Sequence, residues 1–183
     1  LVERQDLKVI YQDPRTSTPG QGLMLWMKSV YGDQAPAAWE QLAKKTVTVT
    51  KGWSEAYGMF LDGEADMVLS YTTSPAYHLI AENKPQYQAA AFAEGHYRQV
   101  EVAAKLKSAA QDKLADQFLQ FMVSPAFQQE IPAGNWMYPV SDQPLPKGFE
   151  QMITVAKPLS FTSDEVAANR KNWIREWLQA VTQ

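Results

Sequence analysis

The 183-residue chain has no cysteine, and its only histidines are His78 and His96. The first absence removes disulfides, thiolate metal sites and cysteine nucleophiles. The second leaves little for histidine-based metal binding: His78 reads as helical and His96 as extended, with no ligand-like partner at short spacing. Positive charge is not in excess either. The 17 Lys and Arg against 20 Asp and Glu give a net charge of −3, so no basic field draws in nucleic acid or anionic lipid. No apolar run reaches the roughly 20 residues a membrane-spanning helix needs. A charged-then-apolar leader is also missing, and Leu1-Val-Glu-Arg-Gln-Asp-Leu-Lys8 runs straight towards a strand.

What is present is ordinary for a globular protein, with 45% hydrophobic and 20% charged residues. Aromatics are the exception. Six Trp, eight Tyr and seven Phe exceed what a core of this size uses, so some are expected to face a ligand.

Local patterning predicts alternating strands and helices. Lys8–Tyr11 reads as a buried strand stopped by Asp13-Pro14, and Thr18-Pro19 opens a helix that ends at Gly32-Asp33. A second helix from Pro36 to about Lys44 leads into the β-branched strand Thr46–Thr50. Gly52-Trp53-Ser54 turns into a helix over Glu55–Leu61, closed by Gly63. Ala65–Tyr71 then reads as a strand, and Thr72-Thr73-Ser74-Pro75 starts another helix. This alternation implies βαβ units and a mainly parallel sheet. Tyr87–Ala104 reads as extended connecting strands and Gln111–Met122 as an amphipathic helix through Leu114, Phe118, Leu119 and Met122. Thr162-Ser-Asp-Glu165 is a capping box opening a terminal helix that carries Trp173 and Trp177.

Three turns share one geometry: Thr16-Ser17-Thr18-Pro19, Gly52-Trp53-Ser54 and Tyr71-Thr72-Thr73-Ser74-Pro75. Each follows a strand and begins a helix, which in an open α/β sheet places it at the carboxyl edge, where ligands bind. Helix starts also offer unpaired N–H groups to a phosphate or another acceptor. Plain capping accounts for any one such turn; three together, two beside large aromatics, point to a site. Trp53, Tyr71 and the Trp136/Tyr138 loop would present faces suited to a flat heterocycle or a delocalised cation. Catalytic signatures are poor by contrast. Gly52-Trp53-Ser54-Glu55-Ala56 misses the last glycine of a nucleophile elbow. Gly20-Gln21-Gly22 meets Leu25 where a dinucleotide fingerprint needs its third glycine.

Five stretches carry a more specific message: Tyr11–Pro19, Lys51–Phe60, Gly63–Tyr77, Phe118–Gln128 and Gly134-Asn-Trp-Met-Tyr-Pro139. In these the sequence resembles the periplasmic thiamine-binding proteins of bacterial ABC importers, and the likeness runs along essentially the whole chain. The resemblance implies a type II periplasmic-binding-protein-like α/β fold, an open sheet with helices on both faces, one lobe largely complete and the other partial. It implies capture of thiamine, thiamine phosphate or thiamine diphosphate in the periplasm for delivery to an inner-membrane ABC permease. Neither catalysis nor a cofactor is implied, and no nucleic acid. Carried over by position, ligand contacts fall on Ser17, Thr18, Trp53, Tyr71, Thr72, Thr73 and Ser74, with Tyr77 and Trp136 as further contacts. A polyamine or ferric iron is the alternative ligand within the superfamily, and a thiamine-processing enzyme the remoter one. That family is longer at its amino terminus. The expectation is therefore a carboxyl-terminal portion: residues 1–86 as a ligand-binding lobe, 87–104 as hinge strands, and 105–183 as helices and a loop belonging to the other, otherwise absent lobe. The stripes bearing Phe118, Trp173 and Trp177 would then pack on that lobe's sheet.

Overall fold

The computed structural model describes residues 1–182. In chain order its elements are β1 (Val9–Gln12), α1 (Thr18–Tyr31), α2 (Ala35–Ala43), β2 (Thr46–Thr50), α3 (Trp53–Leu61), β3 (Met67–Val68) and α4 (Ser74–Ala81). There follow β4 (His96–Tyr97), α5 (Asp112–Met122), α6 (Pro125–Gln128), α7 (Ile131–Gly134), β5 (Pro158–Leu159) and α8 (Ser163–Val181). They form two compact units. One comprises residues 1–70, 92–99 and the chain from Val155 onward; the other comprises 71–91 and 100–154.

In the first unit β1 is the middle strand of an all-parallel sheet ordered β2-β1-β3. Successive side chains of a strand point to opposite faces, and β1 separates two apolar clusters in this way. Val9 and Tyr11 join α1, α2 and α8 in the main core through Met24, Met27, Trp39, Leu42 and Trp177, while Ile10 packs with Ala56 of α3 and Ala65. Helices therefore cover both faces, as an α/β sheet requires. Tyr11 sits centrally, 5.7 Å from the Trp39 ring and accepting a hydrogen bond from Trp177 Nε1 at 3.1 Å. A second small sheet pairs β4 with β5 in parallel. Trp26 of α1 is tied to it, donating from Nε1 to the Gly95 carbonyl at 2.8 Å and lying 5.5 Å from the Phe92 ring.

Local signals placed most of these elements within a residue or two. Ser17 is the extended N-cap of α1 with Pro in the first turn. Gly20 is required there by close approach, since a Cβ would lie 2.2 Å from the Gln12 carbonyl oxygen. The Thr162–Glu165 capping box is complete in both directions. Three expectations need correction. The strand expected over Ala65–Tyr71 is only Met67–Val68, because its ladder with β1 ends at Ile10. The stretch 87–104 is not continuous strand: only His96–Tyr97 finds a partner, and it lies in Pro158–Leu159, far along the chain. Finally, α8 stands with α1 and α2 in the first unit, not with residues 105–154, and Trp173 and Trp177 are buried in that unit's core. Aromatic residues facing α1 and α2 bury more surface there than an exposed stripe would.

The second unit is assembled from helices and turns. Phe121 and Phe127 meet edge to face at 5.5 Å between α5 and α6, and Gln128 bonds through both ends of its amide, to the Met122 carbonyl and from the Val140 N–H. Tyr138 lies edge-on to Phe149 at 5.8 Å. Gly148, at φ 113°, passes so close to α4 that a Cβ would stand 2.8 Å from Ile80. Among the described residues no helix is long and apolar enough to cross a membrane.

Candidate functional site

In the first unit the β1–α1 and β2–α3 turns leave adjacent parallel strands at the same edge of the sheet, and hydrogen bonds join them. Asp13 N donates to the Thr50 carbonyl at 2.9 Å, and Thr16 Oγ1 donates to the Lys51 carbonyl at 2.7 Å. Ser17 and Thr18 on one turn are thereby set beside Trp53 on the other. Ser17 caps α1 by backbone position alone: its side chain makes no capping hydrogen bond, so the hydroxyl is not committed to the helix. Asp13 closes the first turn through Arg15, whose Nη2 lies 2.6 Å from Asp13 Oδ2. The Arg15 side chain holds the Asp13 carboxyl below its ordinary range, with backbone hydrogen bonding helping and burial opposing. Arg15 in turn stands over the Trp177 ring at 5.5 Å.

Trp53 is the first residue of α3 and is half-buried. One face of its indole stacks on Tyr57, one helical turn on, at 4.6 Å and 22°. Its Nε1 donates to Ser70 Oγ at 2.9 Å. The indole is therefore held at its N–H edge and stacked on one face.

The remaining sequence-predicted residues form a second group, within the other unit. Tyr71 N donates to Ser74 Oγ at 3.2 Å, and Ser74 N to the Tyr71 carbonyl at 3.0 Å, so the Tyr71–Ser74 turn is closed by side chain and backbone together. Thr73 is buried, and its hydroxyl points to Met137 Sδ at 3.7 Å. Tyr77 and Trp136 meet edge to face at 5.4 Å. Trp136 adopts φ 55°, a left-handed conformation that a bulky residue rarely holds without surrounding structure to impose it. Thr72 lines a cleft of about 230 Å³ together with Pro75, Leu79, Tyr87 and Gln151. Behind it His78 is buried, with Nδ1 2.6 Å from Glu82 Oε2 and its ring 4.1 Å from that of Tyr87. That hydrogen bond lowers the Glu82 carboxyl's pKa.

Sequence reasoning named Trp53 but missed what orients it. Tyr57 carried a usable signal, an aromatic four residues on in the same helix. Ser70 carried none, because it reaches Trp53 through the fold and not along the chain. Among the described residues no group of three or more His, Asp or Glu side chains is placed to hold a metal ion.

The fold recurs in a solved structure, and the sequence is similar to known proteins along its length. A thiamine-binding periplasmic protein of Escherichia coli K12 is 66% identical over 184 residues, covering 100% of this chain and 56% of its own length. The corresponding Haemophilus influenzae protein is 48% identical, covering 100% and 55%. A solved structure described as a periplasmic thiamin binding protein superimposes with a TM-score of 0.96 at 66% identity, covering 98% of this chain and 56% of that one. The chain thus spans little more than half the length of the relatives it matches. The model of the bacterial extracellular solute-binding proteins matches residues 1–132. That match extends over well more than half of the chain, and the protein belongs to this family.

Proposed function

We propose that the chain captures thiamine, and its mono- and diphosphates, in the periplasm and passes them to an inner-membrane ABC permease without altering them. The observation that carries this reading is the indole of Trp53. It is held at its N–H edge by Ser70, backed on one face by Tyr57, and set beside the uncommitted Ser17 hydroxyl. Thiamine combines a flat cationic heterocycle with a hydroxyethyl arm, and a fixed aromatic face beside a hydroxyl suits both parts. The relatives named for thiamine, 48% to 66% identical, support the same reading. Ser17, Thr18 and Trp53 in the first unit, and Tyr71, Thr72, Thr73, Ser74, Tyr77 and Trp136 in the second, are the contact residues under this proposal. Thr73, buried against Met137, then acts through its backbone or by holding the turn.

Calorimetric titration with thiamine tests the proposal. Trp53→Ala should weaken binding by about 1–3 kcal/mol, the scale of a desolvated stacking or cation–π contact, with an unchanged circular dichroism spectrum. A variant that keeps its affinity but loses stability would put Trp53 in the core instead. Ser17→Ala and Ser74→Ala should affect the phosphates more than thiamine itself, since both residues stand at helix starts. Equal losses for all three ligands would remove the phosphate assignment.

A further inference from the structure

We infer that Gln12 and Ser70 are positioning residues that set the Trp53 indole before any ligand arrives, an inference that rests on the thiamine reading for its functional half. Gln12 ends β1 and is fully buried. Its Nε2 donates to the Leu69 carbonyl at 3.1 Å, while its Oε1 is buried and has no hydrogen-bond partner among the described residues. The amide cannot be turned round, because its oxygen would then face the Leu69 carbonyl. Buried acceptors are almost always satisfied, so one left alone calls for a reason. An apolar side chain of the same length would avoid the orphaned oxygen, but it would also leave the Leu69 carbonyl without the donor that holds it.

The reason lies one residue further on. β3 ends at Val68, and the chain beyond it is held by two anchors: Leu69 N donating to the Ile10 carbonyl at 2.9 Å, and the Gln12 side chain on the Leu69 carbonyl. Ser70 follows directly, and its Oγ accepts from Trp53 Nε1 at 2.9 Å. Gln12 thus fixes the peptide that carries Ser70, and Ser70 fixes the edge of the indole. Tyr57 then sets its tilt from below. A ring held at one edge and one face loses little freedom when a ligand stacks on the other, which is the advantage of preorganisation.

The test reads the indole directly, in the 183-residue chain labelled with ¹⁵N and with the Trp53 side-chain resonance assigned through Trp53→Phe. Ser70→Ala removes the acceptor and should move the Trp53 indole N–H resonance, and Ser70→Thr should restore it. Gln12→Met releases the Leu69 carbonyl and should move the same resonance. Both Ser70→Ala and Gln12→Met should weaken thiamine about 3- to 10-fold, the scale of one lost hydrogen bond. A Trp53 resonance at its original position in Ser70→Ala would overturn the inference, and this half-exposed site keeps the test open even where Gln12→Met folds poorly. A shifted resonance with undiminished affinity would overturn the role in binding. A resonance that responds as expected in a chain that does not bind thiamine at all would defeat the thiamine reading and leave the positioning geometry standing.

Discussion

Helices α5 and α8 carry the same kind of apolar stripe and meet opposite fates. Along α8, Trp173, Trp177 and Ala180 are buried, whereas α5 buries none of its residues and leaves Phe118 55% exposed. The difference follows the units to which they belong. The first unit has a sheet with helices on both faces, and its large exposed apolar side chains are few, among them Val47 and Leu61. In the second unit Val100, Val102, Leu106, Leu114 and Phe118 all stand open to solvent. An amphipathic stripe shows that a face can be buried, but only the sheet and helices around it decide whether it is. Most of the chain's buried apolar surface, and with it the resistance to unfolding, therefore belongs to the unit that holds Trp53.

The largest expected effect tests that contrast directly. Trp177→Ala should destabilise the chain by about 3–5 kcal/mol, as large core truncations do. It would also remove the hydrogen bond to Tyr11 and the ring beneath Arg15. Phe118→Ala on α5 should stay within about 0.5 kcal/mol of the parent chain, the usual range for surface changes. Urea unfolding followed by fluorescence and circular dichroism would compare the two. A Phe118→Ala cost of several kcal/mol would mean that α5 is covered in solution.

A second contrast appears at alkaline pH. Burial pushes the Tyr11 phenol up to about 12, opposed by the Trp177 N–H and assisted by Asp13. The neutral phenol is thus favoured by folding, and its contribution is fully present below the unfolded value near 10. It is lost as pH rises from about 10 through about 12, amounting to roughly 2–3 kcal/mol. Tyr138 in the second unit is shifted in the same direction by burial, but it is 48% exposed and should contribute far less. Stability measured between pH 9 and 12 should therefore flatten markedly in Tyr11→Phe and hardly at all in Tyr138→Phe. Parallel curves for the parent and Tyr11→Phe would show that the Tyr11 hydroxyl is not buried in solution.

Legibility in the sequence followed the range of the interactions concerned. Ser17-Thr18-Pro19 and Thr162–Glu165 were readable because a cap or a first-turn proline acts within four residues. The extent of β3 was not, because strand length is set by the partner strand, and here the ladder stops at Ile10. The irregular course of 87–104 was hidden for the same reason, its one pairing lying some sixty residues away in Pro158–Leu159. The candidate site divides in the same manner. The hydroxyl-rich and aromatic turns stand out in one dimension, whereas Ser70, which bonds the Trp53 indole, and Gln12, which bonds the Leu69 carbonyl beside it, are unremarkable residues until the parallel sheet brings them together.

The smallest effect expected is at the helix starts, and it returns to α8 and α5. On α8 the Thr162 hydroxyl accepts from Glu165 N at 3.2 Å, while Glu165 Oε2 accepts from Thr162 N at 2.7 Å, a reciprocal cap. On α5 the N-cap position is Gln111, whose side chain makes no capping bond. Thr162→Ala should therefore cost about 1 kcal/mol, and Gln111→Ala close to nothing. Charge adds a pH signature to this difference. Hydrogen bonds from the Thr162 side chain and backbone hold the Glu165 carboxyl below its ordinary value, so the cap contributes above the unfolded carboxyl range and fades as pH falls through the lowered folded value. The gap between the parent chain and Thr162→Ala should accordingly be widest near neutrality and close under acid. A gap that stayed constant down to pH 3 would mean that the Thr162 hydroxyl, and not the Glu165 carboxylate, accounts for the whole cap. A gap absent at every pH would show that α8 is held by Trp173 and Trp177 alone, making the contrast with α5 purely one of burial.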